Sequence, residues 1–434
     1  THMSDLMIFE KDVTELLKDY EVTIYGFLRD NDPQLHLLQE SMKEGVLSHY
    51  GFANEEDMTS LKKSKYTYLV RKVQETYSRM IHECKERLDN RENVYGIMEH
   101  LKSLTLPEQR SQEWYDMRDN VLTASSLADA LGKGHFNTKE SLLIDKTSKE
   151  KKPFVMNEIM EWGVRYEEVA TQFYERLHNL KIVEFGLVPH KEFPIFGASP
   201  DGICDVDSPP EYVGRMLEIK CPPKRQFTSE VPLHYWMQMQ GQLETCDLEE
   251  CDFLQVKLSE YASQEDYLSD VCKEEDQLKE GYSGNGFPKG LVLGFRITVE
   301  GQPSYTYRYP PLGEGYDELI RWSQQTKEEY TDPYETCVDY WYRIERYECT
   351  LVLRDRTWWT QTMPKIIDFW EDVEKYREEG NHSLIQKRDD RKQKRKISIQ
   401  NNKKDTSRSP TVIQVNKSIT DILENTYMLD SDDD

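Results

Sequence analysis

The chain lacks long apolar runs, Cys-x-x-Cys pairs and an excess of positive charge. No apolar stretch approaches the ~20 residues that a membrane-spanning helix requires, and the first residues lack the charged-then-apolar pattern of a secretory signal. Charged residues make up 31% of the chain, and the mean hydropathy is −0.79. The composition therefore predicts a soluble intracellular protein with no membrane partner.

The eight cysteines are scattered through the 434 residues. Only Cys246 and Cys251 form a loose pair, which is a poor match to the ligand spacing of an iron–sulfur cluster. Reduced thiols in an intracellular protein are the expectation.

Positive charge is scarce, with 56 Lys and Arg against 80 Asp and Glu, a net charge of −24. This balance is unusual for a nucleic-acid enzyme, because Lys and Arg supply phosphate contacts. Residues 387–408 are the exception, with ten Lys and Arg against three Asp. That run is interpreted as a nuclear-localisation signal, a nucleic-acid-binding arm or a merely solvated charge run. Any nucleic-acid groove elsewhere must be a local basic surface on an acidic body.

Three regions are predicted along the chain. Residues 1–104 form a helical N-terminal domain for structural support or partner docking, in which residues 1–3 look like a tag remnant. Residues 105–380 form a mixed domain. Residues 381–434 have the composition of a disordered tail, first basic and then acidic.

The middle region alternates helical and strand-like segments. Helices are predicted at 123–132, 157–180, 233–246 and 358–379, and strands at 181–188, 192–199, 201–206, 215–221, 251–258, 290–299 and 306–310. Residues 263–287 read as an insertion or loop. The predicted fold class is α/β (α+β), with a small mixed sheet flanked by helices.

A chemical pattern lies in FGASPDGICDVDSPPEYVGRMLEIKCPP, residues 196–223. In a strand, Glu218 and Lys220 face the same side, and Asp201 would open the neighbouring strand of a hairpin. Two carboxylates and a lysine could hold Mg²⁺ and cut a phosphodiester. By itself the spacing is also that of a surface hairpin with an ordinary ion pair.

Four ordered motifs carry a resemblance to a known family. SPDG followed by LEIKC resembles the core of the PD-(D/E)xK nucleases, restriction-endonuclease-like in fold, and in particular the phage lambda exonuclease and YqaJ-type viral recombinase branch. The further matches are WYDMRDNVLTAS (114–125), GVRYEE (163–168) and YWMQMQGQLETC (235–246). The N-terminal hundred residues and the tail lie outside the resemblance.

The resemblance implies a role for each matching residue. Mg²⁺, with Mn²⁺ as a substitute, would be held by Asp201 and Glu218 with the main-chain carbonyl of Ile219, and Glu167 would reach it directly or through water. Lys220 would be the catalytic lysine. The terminal 5′-phosphate would be held by Arg118 and Ser125, with Ser199 and Gln240 contributing.

Each assignment has an ordinary structural alternative. Glu167 could face solvent, and Arg118 could pair with Asp116 or Asp119. The choice of Gln240 over Gln238 or Gln242 rests on the resemblance alone. Some relatives carry a further acidic residue before SPDG; Glu192 and Glu184 are candidates without a secure register, so the number of metals stays open.

The implied activity is an Mg²⁺-dependent 5′-to-3′ exonuclease that degrades one strand of linear duplex DNA for viral recombination or genome processing. Implied partners are double-stranded DNA ends, a single-strand annealing protein and further copies of the chain, in the host nucleus or at a cytoplasmic viral replication site. The alternatives are an endonuclease or RNase like the alkaline nucleases that degrade host messages, and a catalytically inactive DNA-binding scaffold. The intact set of Asp201, Glu218 and Lys220 argues against the scaffold.

Overall fold

The computed structural model describes residues 13, 16–52, 59–107, 111–135, 137–149, 156–274, 277–299, 301–391 and 393. The chain divides into two compact units, residues 1–375 and 376–434. In the second unit residues 382–391 are helical, although the sequence predicts disorder from 381 onwards. Most of the basic run and the acidic end lie outside the described residues. Within those ranges, every helix is too short or too polar to span a bilayer.

The helices are α1 (Tyr20–Arg29), α2 (Leu35–His49), α3 (Ser60–Arg91), α4 (Val94–Ser103), α5 (Gln112–Asp119), α6 (Leu127–Ala130), α7 (Lys139–Thr147), α8 (Glu158–His178), α9 (Leu233–Cys246), α10 (Gln264–Ser269), α11 (Tyr316–Glu329) and α12 (Arg356–Glu379). The strands are β1 (Leu122–Thr123), β2 (Ile182–Val183), β3 (Val188–Pro189), β4 (Phe196–Ala198), β5 (Gly202–Cys204), β6 (Met216–Lys220), β7 (Glu250–Glu260), β8 (Cys272–Glu274), β9 (Gln277–Lys279), β10 (Lys289–Val299), β11 (Gln302–Arg308) and β12 (Thr336–Leu353).

The first helices pack around an apolar core of their own. Buried residues of α3 recur at helical spacing, as in Leu69, Val73 and Met80. Arg87, near the end of α3, donates from Nε and Nη2 to the main-chain carbonyl of Arg354 at 3.0 and 2.9 Å. The helices are thereby fastened to the end of strand β12.

A mixed sheet of seven strands lies at the centre of the first unit, in the order β11-β10-β12-β7-β6-β5-β2. Strands β6 and β7 run parallel, with Lys220 opposite Gln255, and the other neighbouring pairs are antiparallel. Helices cover both faces of this sheet. The predicted fold class, a mixed sheet flanked by helices, is therefore confirmed.

Helices α8 and α9 cover opposite faces of strand β6. Val169 of α8 belongs to the same buried cluster as Leu217, whereas Met239 of α9 belongs to the cluster of Met216. Because alternate residues of a strand face opposite sides, Glu218 lies on the α9 side, as Met216 does. A side chain on α8 can approach Glu218 only around the end of the strand.

A smaller sheet has the order β1-β4-β3. Strand β1 is parallel to β4, with Leu122 opposite Phe196. The carboxyl ends of parallel strands lie at the same edge of a sheet, so the segments that follow β1 and β4 emerge side by side. Ser125 is in the first of these segments and Ser199 in the second.

The structure corrects two features of the predicted fold. Residues 263–287 were predicted as an insertion or loop but contain α10 and the two-stranded sheet of β8 and β9. Strand β12, which has 18 residues and pairs with both β7 and β10, was not predicted. The sheet is therefore larger than the small one that the sequence predicts.

Candidate active site

The antiparallel pairing of β5 and β6 brings Asp201 to the strand that carries Glu218 and Lys220. Gly202 lies opposite Leu217, so Asp201, one residue earlier, reaches the backbone of Ile219. Its Oδ2 accepts a hydrogen bond from the Ile219 amide at 2.7 Å. The predicted convergence of the two carboxylates and the lysine is present in the structure.

Glu218 is fully buried, and both of its carboxylate oxygens accept hydrogen bonds. Oε1 accepts from Lys220 Nζ and from Gln238 Nε2, the latter at 2.8 Å. Oε2 accepts from Gln242 Nε2 at 2.7 Å. Because a buried carboxyl group is costly without hydrogen-bond partners, these donors satisfy both oxygens of Glu218 and fix its orientation.

Glu167 approaches the site from the other face of the sheet. It lies on α8, directly after Tyr166. The main-chain carbonyl of Tyr166 is 3.7 Å from the Sγ of Cys221, the residue that follows β6. Glu167 is half-buried, and its charge acts on Asp201. The structure thus brings Glu167 near the end of β6 but on the side opposite Glu218.

The site carries an excess of negative charge. Burial, followed by repulsion from Glu218 and Glu167, raises the pKa of Asp201 well above its usual value. Burial alone would lower the pKa of Lys220, but the carboxylates of Glu218 and Asp201 outweigh it and raise that pKa. Lys220 is therefore an ammonium group, and the carboxylates around it favour a further cation.

A divalent metal ion fits part of the predicted ligand set. Asp201 and Glu218 offer hard carboxylate oxygens, and their mutual repulsion is what a bound cation relieves. Across the described residues, however, no group of three or more His, Cys, Asp or Glu side chains converges in a way that could hold a metal ion. Glu167, half-buried with its charge acting on Asp201, stays a predicted ligand that would reach the ion directly or through water.

Arg118 and Ser125 are brought together as predicted. Nη2 of Arg118 is 3.4 Å from Oγ of Ser125, and the guanidinium lies over the ring of Trp114 at 4.4 Å. Asp116 accepts a hydrogen bond from Gln112, whereas the charge of Asp119 acts on the Arg118 guanidinium, which also lies beside the exposed Ser125. Trp114 supports Arg118 through this ring contact.

Ser199 lies between this pair and the carboxylates. Its Oγ is buried without a hydrogen-bond partner among the described residues, and its carbonyl is 3.5 Å from Gln242 Nε2. Gln242 therefore touches both Ser199 and Glu218. An unpartnered buried hydroxyl at this position fits a site that a ligand oxygen completes.

Gln240 is placed away from the site. It is 1% exposed; Nε2 donates to the Leu353 carbonyl at 2.9 Å, and Oε1 accepts from the Asp355 amide at 2.7 Å. Two residues on a helix differ by about 200° in direction, so Gln240 faces away from its neighbours Gln238 and Gln242. Those two, four residues apart, are the site residues that the sequence analysis missed, and their i,i+4 spacing on one helix face was the available signal.

Aromatic and imidazole rings line the approach to Lys220. The ring of Tyr235 lies 4.9 Å from Lys220 Nζ, and the rings of His234 and His135 stack at 5.0 Å. Burial, with the charges of His135, Lys220 and Arg225, lowers the pKa of His234 to about 4. His234 is therefore neutral near neutral pH.

Comparisons with known proteins point to one family. Residues 113–249 match the model of the YqaJ-like viral recombinase domain. An uncharacterized protein of Acanthamoeba polyphaga mimivirus is 30% identical over 305 residues, which is 65% of this chain and 55% of that protein. A protein of African swine fever virus is 23% identical over 159 residues, which is 32% of this chain and 46% of that protein. The chain spans about half the length of these curated relatives.

Among solved structures, an alkaline exonuclease from Laribacter hongkongensis has 17% sequence identity and a TM-score of 0.36, covering 64% of this chain and 99% of the exonuclease. The matched range 113–249 contains all the residues singled out by the motifs, from Trp114 to Cys246. The resemblance found in the sequence is confirmed, since residues 113–249 match the YqaJ-like viral recombinase domain.

Proposed function

We propose that this chain is a metal-dependent deoxyribonuclease that degrades one strand of linear duplex DNA from its 5′ end and leaves 3′ single strands. The observation that carries the proposal is the convergence of Asp201, Glu218 and Lys220 on one strand end. The domain match at residues 113–249 supports it. Three further points stay predictions: a single-strand annealing protein as a partner, assembly of several copies of the chain into a ring, and the site of action in the cell.

Mg²⁺ would be held by Asp201 and Glu218 with the main-chain carbonyl of Ile219, and Mn²⁺ is expected to substitute. When bound, the ion polarises the phosphate and lowers the pKa of an attacking water. Burial and repulsion from Glu218 and Glu167 raise the pKa of Asp201, and a bound cation would offset that repulsion. Mg²⁺ is commonly held by one or two carboxylates and retains several waters.

Lys220 and the two glutamines supply the protein's part of the chemistry. The ammonium of Lys220 is positioned to stabilise charge that develops on the phosphate and to orient the attacking water. Gln238 and Gln242 hold the Glu218 carboxylate in one orientation. A ligand that cannot rotate keeps its geometry during the reaction without reorganisation.

The preference for an end rests on Arg118, Ser125 and Ser199. A guanidinium binds phosphate as a charged fork, and the two serine hydroxyls can donate to further phosphate oxygens. These groups lie at the shared edge of β1 and β4, beside the segment that leads to Asp201. A terminal 5′-phosphate bound there would place the first phosphodiester near Asp201 and Glu218.

The test compares four substrates with the full chain and Mg²⁺: linear duplex with 5′-phosphate, linear duplex with 5′-hydroxyl, closed circular duplex, and RNA. The expected result is degradation of linear DNA, fastest with the 5′-phosphate. Cutting of circles at a similar rate, indifference to the end group or a preference for RNA would overturn the exonuclease assignment.

Two variants check the site itself. Glu218→Gln keeps the shape of the side chain but removes its charge, and Lys220→Met removes the ammonium. Both are expected to abolish cleavage while the chain stays folded. Cleavage that persists in either variant would show that the activity uses another site.

A further inference from the structure

A row of basic side chains crosses the sheet on the same face as Glu218 and Lys220. Lys220 lies opposite Gln255 on β7, and Lys257, two residues on, lies opposite Arg346 on β12. Register partners and alternate residues of a strand share a face. The α9 face of β6, β7 and β12 therefore presents Lys220, Lys257 and Arg346 in succession.

The loop of residues 222–232, between β6 and α9, is fastened over this row. The Lys257 ammonium donates to the carbonyl of Pro223, and the Arg346 guanidinium donates to the carbonyl of Phe227. Gln255 Nε2 donates to the carbonyl of Thr228 at 3.0 Å. The loop is therefore held in one conformation by side chains of two strands.

The fastened loop adds two more cations, both exposed. Lys224 and Arg225 follow the two prolines after Cys221. Arg225 Nη2 donates to Gln255 Oε1 at 2.8 Å, so the fully buried amide of Gln255 fixes both the loop and its arginine. Lys224, Arg225, Lys257 and Arg346 are called the basic row below.

The basic row differs in its partners from two other arginines, one in β12 and one just after it. Arg343 pairs with Asp270 and Arg354 with Glu244. Within the described ranges, by contrast, no member of the basic row forms an ion pair, and Lys257 and Arg346 stand directly opposite one another. Like charges directly opposite one another are destabilising. The acidic neighbours of the row are Glu348, opposite Gln255 on the same face, and Glu230 on the loop. The four cations outnumber them, so in a chain of net charge −24 this surface has a local excess of positive charge that favours an anionic ligand.

We propose that the basic row binds the phosphodiester backbone of the DNA strand that leads away from the cut. This inference rests on the proposed function. The strand order places β6 between β5, which Asp201 precedes, and β7 with β12. A strand with its end at Arg118 and its cut bond at Glu218 would continue over β7 toward Arg346. Two strand spacings of about 4.8 Å separate β6 from β12, the scale of one to two nucleotides.

The test measures binding apart from cleavage. A short fluorescein-labelled duplex DNA is titrated with the full chain in EDTA at several KCl concentrations, and the dissociation constant is plotted against salt on logarithmic axes. Arg225→Gln and Arg346→Gln remove charge but keep an amide donor for Gln255 or for the Phe227 carbonyl. Each is expected to reduce the salt slope by about 0.9, the effect of one phosphate contact.

The matched control is Arg321→Gln, on α11, where the exposed arginine pairs with Glu318. It should leave the slope unchanged. Arg346→Lys keeps the charge and should retain the wild-type slope. A wild-type slope for both Arg225→Gln and Arg346→Gln, or an equal loss in Arg346→Lys and Arg346→Gln, would overturn the proposal.

Cleavage assays on the same proteins separate the two proposals. If the wild type cuts linear DNA but the substitutions in the basic row leave the salt slope of DNA binding unchanged, the basic row is not the DNA-binding surface and the proposed function stands. If the substitutions reduce the salt slope but the wild type cuts no substrate, the proposed function is wrong and the assignment of the basic row as a DNA-binding surface stands. A slope that responds with single-stranded RNA of the same sequence and not with DNA would overturn the assignment of DNA as the occupant.

Discussion

Gln242 donates to Oε2 of Glu218 at 2.7 Å, one turn of helix after Gln238 donates to Oε1. The two amides occupy both oxygens of a fully buried carboxylate, while Gln240 between them bonds to the backbone on the other side of the helix. One helix thus places two glutamines at the Glu218 carboxylate and a third against the backbone of Leu353 and Asp355.

Replacing Gln242 by Leu should lower the rate of cleavage more than it lowers stability. The change removes a donor to a proposed metal ligand, an effect worth roughly 10–100-fold in metal affinity or activity. The kcat of linear-duplex degradation and the apparent Mg²⁺ affinity, read as a shift in melting temperature with added Mg²⁺, should both fall. Both quantities are needed, since a purely structural loss would change the melting temperature without changing its response to Mg²⁺.

Gln240→Leu is the matched control on the same helix. It leaves the Leu353 carbonyl and the Asp355 amide without their partner, so it should lower the melting temperature while the kcat of the folded fraction stays near wild type. A large loss of kcat in Gln240→Leu with none in Gln242→Leu would reverse these assignments.

Arg118→Gln should reduce discrimination between DNA ends. A hydrogen bond to a charged group contributes about 1.5–3 kcal/mol, so the ratio of kcat/KM for 5′-phosphate over 5′-hydroxyl duplex should fall by roughly tenfold or more. The 5′-hydroxyl substrate should be cut at nearly the wild-type rate. Equal losses on both substrates would indicate a general effect on the fold instead of an end contact.

Arg87→Met should destabilise the first unit strongly. The buried guanidinium donates to the Arg354 carbonyl and pairs with Glu21 at 2.6 Å. Removing one partner of a buried ion pair costs about 3–5 kcal/mol. Urea unfolding should show that loss, whereas Arg29→Gln, which breaks an exposed pair with Asp30, should cost less than about 1 kcal/mol.

His190 should make the fold less stable as the pH falls below about 6.5, the usual pKa of histidine. Its Nδ1 accepts from the amides of Glu192 and Phe193 at 3.1 and 3.2 Å, and burial lowers its pKa. The folded protein therefore resists a proton that the unfolded chain accepts, and the free energy of unfolding falls from about pH 6.5 toward the lower folded pKa. Above that range the histidine has no effect.

His190→Asn keeps an acceptor near the two amides without a titrating ring. The difference in unfolding free energy between about pH 7 and about pH 5 should be smaller in this variant than in the wild type. An equal or larger difference would mean that other groups cause the acid sensitivity.

The helix and strands that carry the site could be predicted from the sequence because short local patterns determine them. Helix α9 was predicted with its observed bounds, and Asp201 was predicted to face the strand of Glu218 and Lys220, as it does. The alternation of side chains between the two faces of a strand and the turn between two strands are local properties of the sequence. The folded protein keeps the predicted register when one face of the strand is buried.

Features that depend on tertiary contacts could not be predicted from the sequence. Strand β12 mixes exposed, half-buried and buried positions, so its pattern is weak, although Tyr342 and Ile344 alternate with the charged Arg343 and Glu345. The choice among three glutamines depended on the rotation of α9 about its axis, which only packing fixes. Likewise, Glu167 lies across the sheet from Glu218 because α8 covers the other face.

Ser199 and Asp201 are separated by the buried Pro200 alone. Two residues of chain span at most about 7 Å. A phosphate held at Ser199, as proposed, would therefore lie at a nearly constant distance from the carboxyl group of Asp201, which precedes β5. The two peptide bonds between Ser199 and Asp201 would then fix how far from the 5′ end the DNA strand is cut, and with it the size of the product released at each turnover.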